Sequence, residues 1–117
     1  MGELIGIARF KIRDGKLEEF QRLSAHAMEI VRTRESSGTL QYDTYFNADG
    51  SECVIVERYR DSEAAMEHAA NLREISQAVL EIVSVVHGEL LGDPSAELRE
   101  ILATHDVPEL FTPYESL

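Results

Sequence analysis

Gly38 to Asp61 reads GTLQYDTYFNADGSECVIVERYRD, two β-rich runs around a turn that lead into a helix start. Thr39 to Asn47 and Glu52 to Tyr59 carry the β-branched and aromatic residues that favour strands. Asn47-Ala48-Asp49-Gly50 supplies the turn, and Gly50 can take the positive φ that short hairpin loops need. Asp61-Ser62 then offers a side-chain oxygen to cap a following helix. The stretch is therefore a β-hairpin, and the remaining residues have to cover it.

Toward the N-terminus, Leu4 to Ile12 alternates as a first strand. Leu4, Gly6, Ala8, Phe10 and Ile12 share one face, while Ile5 and Ile7 leave the other half apolar beside Arg9 and Lys11. Arg13-Asp14-Gly15 turns the chain into a helix from Lys16 to about Arg34, where Leu17, Phe20, Leu23, Ala27, Ile30 and Val31 form one buried stripe. Glu18 and Glu19 open it, Arg32 and Arg34 close it, and both pairs complement the helix dipole. Glu35-Ser36-Ser37-Gly38 stops it.

Toward the C-terminus a helix runs from Ser62 to about Ala70. A second stripe, Leu72, Ile75, Val79, Ile82 and Val83, follows a break near Asn71. Val83 to Leu91 changes to strand character, because a helix would hold Gly88 and clustered β-branched residues in its interior. Asp93 and Pro94 are expected to start a short helix reaching about Ala103. Val107 to Tyr114 carries two prolines in an apolar segment and is expected to be an edge or an arm, reaching over a neighbouring subunit or folding back on its own.

The order β, α, β, β, α in two pieces, β, then a helix and arm predicts an α+β, ferredoxin-like βαββαβ fold with an antiparallel sheet. Residues 1–92 would form the core, with residues 93–117 part of the same domain. Helices cover one face, so Ile5, Ile7 and their neighbours on the other face call for a second copy. At 117 residues, 44% hydrophobic and 28% charged, the chain suits one globular domain. No apolar run approaches the roughly 20 residues a membrane helix needs, and no signal-peptide pattern opens the chain, so a cytoplasmic location is expected. Twenty-two acidic against eleven basic residues give a net charge of −11, which disfavours nucleic acid and anionic membranes. Cys53 is a lone cysteine in the apolar hairpin and reads as a core residue.

The Gly38-Thr39-Leu40-x-Tyr42 opening, the Glu57-x-Tyr59-x-Asp61 close and the Met66-Glu67-His68 helix resemble the antibiotic biosynthesis monooxygenase family. Gly88 to Leu98 (GELLGDPSAEL) with Phe111-Thr112-Pro113 is similar to a subgroup described as quinol monooxygenases. The resemblance implies a homodimeric α/β barrel with a pocket between each sheet and its own helices. It implies cofactor-independent oxidation of a quinol or polycyclic phenol by O₂, without metal, flavin or haem. Non-enzymatic binding of a small ligand, a stress-associated role, and isomerase or lyase action on a small carbonyl compound remain the alternatives. Two departures stand out: Tyr59 occupies a position where family members usually carry Trp, and Arg73 stands where many carry a second His. The haem-degrading branch uses an Asn, Trp and His set; this chain has no Trp, and Ala8 and Ala78 fall near two of the three places.

That chemistry needs a base, a donor for the oxyanion and a dry apolar pocket. His68 and Tyr59 are the catalytic candidates; Tyr42, Phe46, Arg9 and Met66 are the substrate-binding candidates. Tyr42 and Tyr45 have opposite parity and cannot share a face; Leu40, Tyr42, Thr44 and Phe46 are expected to face the covered side. Glu57, an acid inside an apolar strand, must be paired or protonated if buried, and a structural pair across the dimer is the expectation. His26, His87 and His105 are scattered without ligand-like spacing, so no metal site is expected. Phosphate-loop and nucleophile motifs are absent from the sequence.

Overall fold

A computed structural model describes residues 2–117, the side chains of Val85 and Val86 excepted. The order is β1 (Leu4–Ile12), α1 (Leu17–Arg34), β2 (Thr39–Phe46), β3 (Glu52–Tyr59), α2 (Ser62–Asn71), α3 (Arg73–Leu80), β4 (Val83–Leu91), α4 (Ala96–Leu102) and β5 (Glu109–Phe111). The strands form a single sheet in the order β2-β3-β1-β4-β5. β1 to β4 pair antiparallel, and β5 joins β4 in parallel. The first four strands with their helices are the expected ferredoxin-like α+β arrangement.

The hairpin forms where the sequence placed it. Gly50 takes φ +73° in the turn, and Asn47 Oδ1 accepts from Glu52 N at 2.9 Å across it. Leu40 departs from the expected alternation. The β2–β3 register shifts between Thr39 and Gln41, so Leu40 is the extra residue of a bulge and is 43% exposed. Tyr42, Thr44 and Phe46, beyond the bulge, keep the face expected of them opposite Glu57, Ile55 and Cys53.

Three apolar clusters hold the helices to the sheet, one of them Ala27, Val31 and Leu72 against Tyr42. Ile12, Phe20, Leu23, Cys53, Ile82 and Val83 join α1 to β1, β3 and β4. Leu4, Tyr59, Ala64, Leu90 and Leu98 join α2 and α4 to the opposite end of the sheet. Burial raises the Cys53 thiol to about 11, as expected of an inert core cysteine.

The C-terminal region differs from expectation at the α4 cap. Ser95, rather than Asp93, caps α4: its Oγ accepts from Leu98 N at 3.2 Å, while Asp93 pairs with Arg99 at 2.6 Å. Ser95 N donates to Ser62 Oγ at 2.8 Å, and this fixes the extended backbone that an N-cap requires one position before Ala96. Of the two placements expected for the apolar tail, Glu109–Phe111 takes the second, folding back onto its own sheet as the edge strand β5, and Leu110 joins the Leu4 cluster. Gly88 makes room for this return, since a Cβ there would fall 2.6 Å from Val107.

Candidate functional site

α2 begins where Asp61 Oδ1 accepts from Ala64 N at 2.9 Å. Its first turn packs close to the start of β2 because position 38 is glycine; a Cβ there would fall 2.9 Å from that of Ala64. His68 lies about one turn beyond Ala64 on α2 and is 8% exposed, pointing into the layer between sheet and helices. Its Nδ1 is 2.7 Å from Glu35 Oε1, and its Nε2 is 3.2 Å from Glu57 Oε1. One imidazole therefore bridges two carboxylates.

Glu35 is the residue that follows α1, and it is only 3% exposed. Thr39 Oγ1 donates to its Oε1 at 2.7 Å, and Asn71 Nδ2 donates to its Oε2 at 3.0 Å. Burial alone would raise its pKa, but donation from Asn71, His68 and Thr39 outweighs burial and holds it below the ordinary carboxylate value. Glu57 is held on the other side of the ring by β3, and the Tyr59 hydroxyl also donates to its Oε1. For His68, burial alone would lower the pKa. The hydrogen bonds and charges of Glu57 and Glu35 reverse this, and the imidazole is raised above its ordinary value. Burial and the neighbouring Glu57 charge push both Tyr42 and Tyr59 upward, so both stay protonated.

A cavity of about 190 Å³ opens beside this cluster, between α1, α3 and the sheet. Glu57, His68 and Tyr42 give it one polar end, and Phe10, Leu23, Ile55, Leu72, Ile75 and Val79 give it apolar walls. Tyr42 and Ser24 also border a wider, open groove between α1 and the edge strand β2. The arrangement suits proton transfer at the polar end of an otherwise apolar pocket.

Tyr42, His68 and Tyr59 come together: both tyrosine rings lie within 5.3 Å of the imidazole, centroid to centroid. Tyr59 is 4% exposed and sits behind Glu57 rather than lining the cavity. Phe46 stacks edge-on against Phe20 at 5.9 Å and lies outside the cavity lining. Met66 packs with the Leu4 cluster. Arg9 has the parity of the uncovered face, beside Tyr45 and Val54. Glu57 pairs with His68 of its own chain, on the helix-covered face, which corrects the expected pairing across a dimer. Glu35 was not a sequence candidate. Its signal was an acid at the negative end of the α1 dipole, where a solvated helix end favours a base.

The sequence profile of the family described as Antibiotic biosynthesis monooxygenase matches residues 4–80. The chain belongs to this family. Among solved structures, MupZ from Pseudomonas fluorescens is similar over all of this chain and 94% of its own, at 24% identity and a TM-score of 0.82. Rv0793 from Mycobacterium tuberculosis is 30% identical over 80% of this chain and 97% of its own, with a TM-score of 0.64. SO0527 from Shewanella oneidensis is 25% identical over 76% of this chain and 88% of its own, with a TM-score of 0.66. Comparison with curated proteins gives no significant match. No described helix is long and apolar enough to cross a membrane.

Proposed function

We propose that this family member is a cofactor-independent monooxygenase that oxidises a single-ring quinol with O₂ in the cavity beside His68. The observation that carries the reading is the buried Glu35–His68–Glu57 cluster at the polar end of an otherwise apolar cavity. A cavity of about 190 Å³ favours one ring over a polycyclic phenol. For scale, an engineered apolar cavity of about 150 Å³ accepts benzene.

In this reading the cluster removes a hydroxyl proton, and the resulting phenolate is electron-rich enough to reduce O₂ itself. One oxygen atom enters the ring and the other leaves as water, so a hydroquinone and O₂ give a hydroxyquinone and H₂O, with all four electrons drawn from the substrate. Phe10, Leu72, Ile75 and Val79 keep water from the reactive pair. Tyr42 stays protonated and is the donor candidate for the ring oxygen. Tyr59 acts through Glu57, whose Oε1 it donates to.

The reading includes a homodimer. Ile5, Ile7, Val54 and Val56 lie half-buried on the uncovered face, with Tyr45 55% exposed beside them, and an apolar strip of this kind is covered most simply by a second sheet.

Oxygen uptake with hydroquinones and hydroxyanthrones tests the activity. The expected result is one O₂ consumed per hydroquinone, slower turnover of the polycyclic compounds, and a loss of at least about 100-fold in His68→Gln. No uptake with any member of the panel would overturn the oxygenase. Substrate turnover under anaerobic conditions would replace it with isomerase or lyase chemistry on the same cluster.

A further inference from the structure

Both ring nitrogens of His68 face carboxylate oxygens, at 2.7 Å and 3.2 Å, and a carboxylate can only accept. Each contact therefore holds a proton, and the bridge Glu35–His68–Glu57 contains two. The ring has no lone pair free to take a proton from a ligand.

Glu57 is different. Its Oε1 receives both His68 Nε2 and the Tyr59 hydroxyl, whereas no donor among the described residues reaches its Oε2. No fully buried side-chain oxygen or nitrogen among the described residues lacks a partner, so this second oxygen is not sealed in the core. Glu57 lines the cavity. Two carboxylates and one imidazolium leave the polar end with one net negative charge. Tyr42 from β2 and Tyr59 from β3 add none while protonated, and Asn71 from α2 is neutral. The lining residues from α1 and α3 include no titratable side chain.

We infer that the cavity takes a neutral hydroxyl-bearing ring, that Glu57 Oε2 accepts its proton, and that Glu35 is a positioning residue that holds His68 as a fixed imidazolium. This deepens the oxygenase reading and rests on it for the role of the proton. The ligand O–H bond breaks, an O–H bond forms on Glu57, and the electron pair stays on the ring oxygen. Ligand and site together keep one negative charge throughout, so the step adds no net charge to a low-dielectric pocket. A ring that arrives already anionic would place a second negative charge there and is excluded.

Calorimetric titration of the ligand-free protein at pH 6 with hydroquinone, methyl 4-hydroxybenzoate and 4-hydroxybenzoate separates charge from size, because the ester is larger than the acid but neutral. The expected result is that hydroquinone and the ester bind within about tenfold of each other while the acid binds at least about tenfold more weakly than the ester. Glu57→Gln should weaken hydroquinone and narrow the gap between ester and acid. Glu35→Gln, which keeps the shape of the contact, should move the pH at which hydroquinone binding changes to a lower value, a shift that packing alone would not produce. Equal binding of acid and ester, an unchanged gap in Glu57→Gln, or no binding of any of the three would overturn the inference. Binding with the expected charge preference but without oxygen uptake would sink the oxygenase alone.

Discussion

Each face of the sheet carries a histidine–glutamate contact, and the two are unlike. On the helix-covered face His68 lies between Glu35 and Glu57 with its side chain 10% exposed. On the other, His87 meets Glu89 at 2.8 Å with half its side chain in solvent. The same pair of residue types gives a buried ring bonded on both nitrogens in one place and a solvated contact in the other, because water screens the second and is excluded from the first. Burial alone would lower the His68 pKa, and the carboxylates on its two nitrogens reverse this. What makes a site here is the second acid, not the histidine.

Removing the ring should have the largest effect. His68→Ala leaves two carboxylates facing each other without the cation between them, and is expected to cost about 3–5 kcal/mol of stability in urea unfolding. His87→Ala should change stability by less than about 1 kcal/mol. Similar losses in both would erase the distinction between the faces.

The second prediction concerns the uncovered face. Val56→Asp puts a charge in the apolar strip, next to Ile7 in the β1–β3 register. It should raise the dimer dissociation constant by on the order of 100-fold in sedimentation, with the cavity cluster intact. A wild-type protein that is monomeric at micromolar concentration would remove the proposed second copy from that face.

The third effect is a pH dependence. The His68 pKa is raised on folding, so its contribution to stability is complete below the ordinary value of 6.5 and is lost as pH rises through the raised value. Glu35 is lowered, so its contribution is complete above the ordinary value of 4.5 and is lost as pH falls through the depressed value. Both are present between those two values. Glu35→Gln should cost about 1–3 kcal/mol in that window and flatten the decline on each side. An unchanged pH profile in the variant would mean that the cluster is not ionised as described. The smallest change is expected for Glu89→Gln, within about 0.5 kcal/mol at any pH in the same range.

Most of the fold was legible because its signals are local. The hairpin turn at Gly50, the α1 stripe from Leu17 to Val31 and the period change at Val83 each depend on residues close in sequence. The misplaced features depend on distant partners. Ser95 caps α4 because Ser62 Oγ holds its backbone, and the choice between the two open placements of the tail follows from the space Gly88 leaves for Val107. Leu40 leaves its face through a bulge that alternation alone does not reveal. For the site, His68 and the tyrosines could be nominated from their types and positions. Glu35 could not be joined to them, since 33 residues separate it from His68 and only the folded chain brings its carboxylate to the ring. Glu57 was noticed as an acid in an apolar strand, but the face it serves follows from the β2–β3 register opposite Tyr42.

The protonation state of His68 tests the central claim most directly. Ring nitrogen chemical shifts of ¹⁵N-histidine-labelled protein, followed through a pH titration of wild type and Glu35→Gln, report it without substrate or oxygen. The expected result is a His68 ring protonated on both nitrogens at pH 6.5 and above, with its midpoint falling in Glu35→Gln. A wild-type His68 that is neutral at pH 6.5, as burial alone would dictate, would contradict the account.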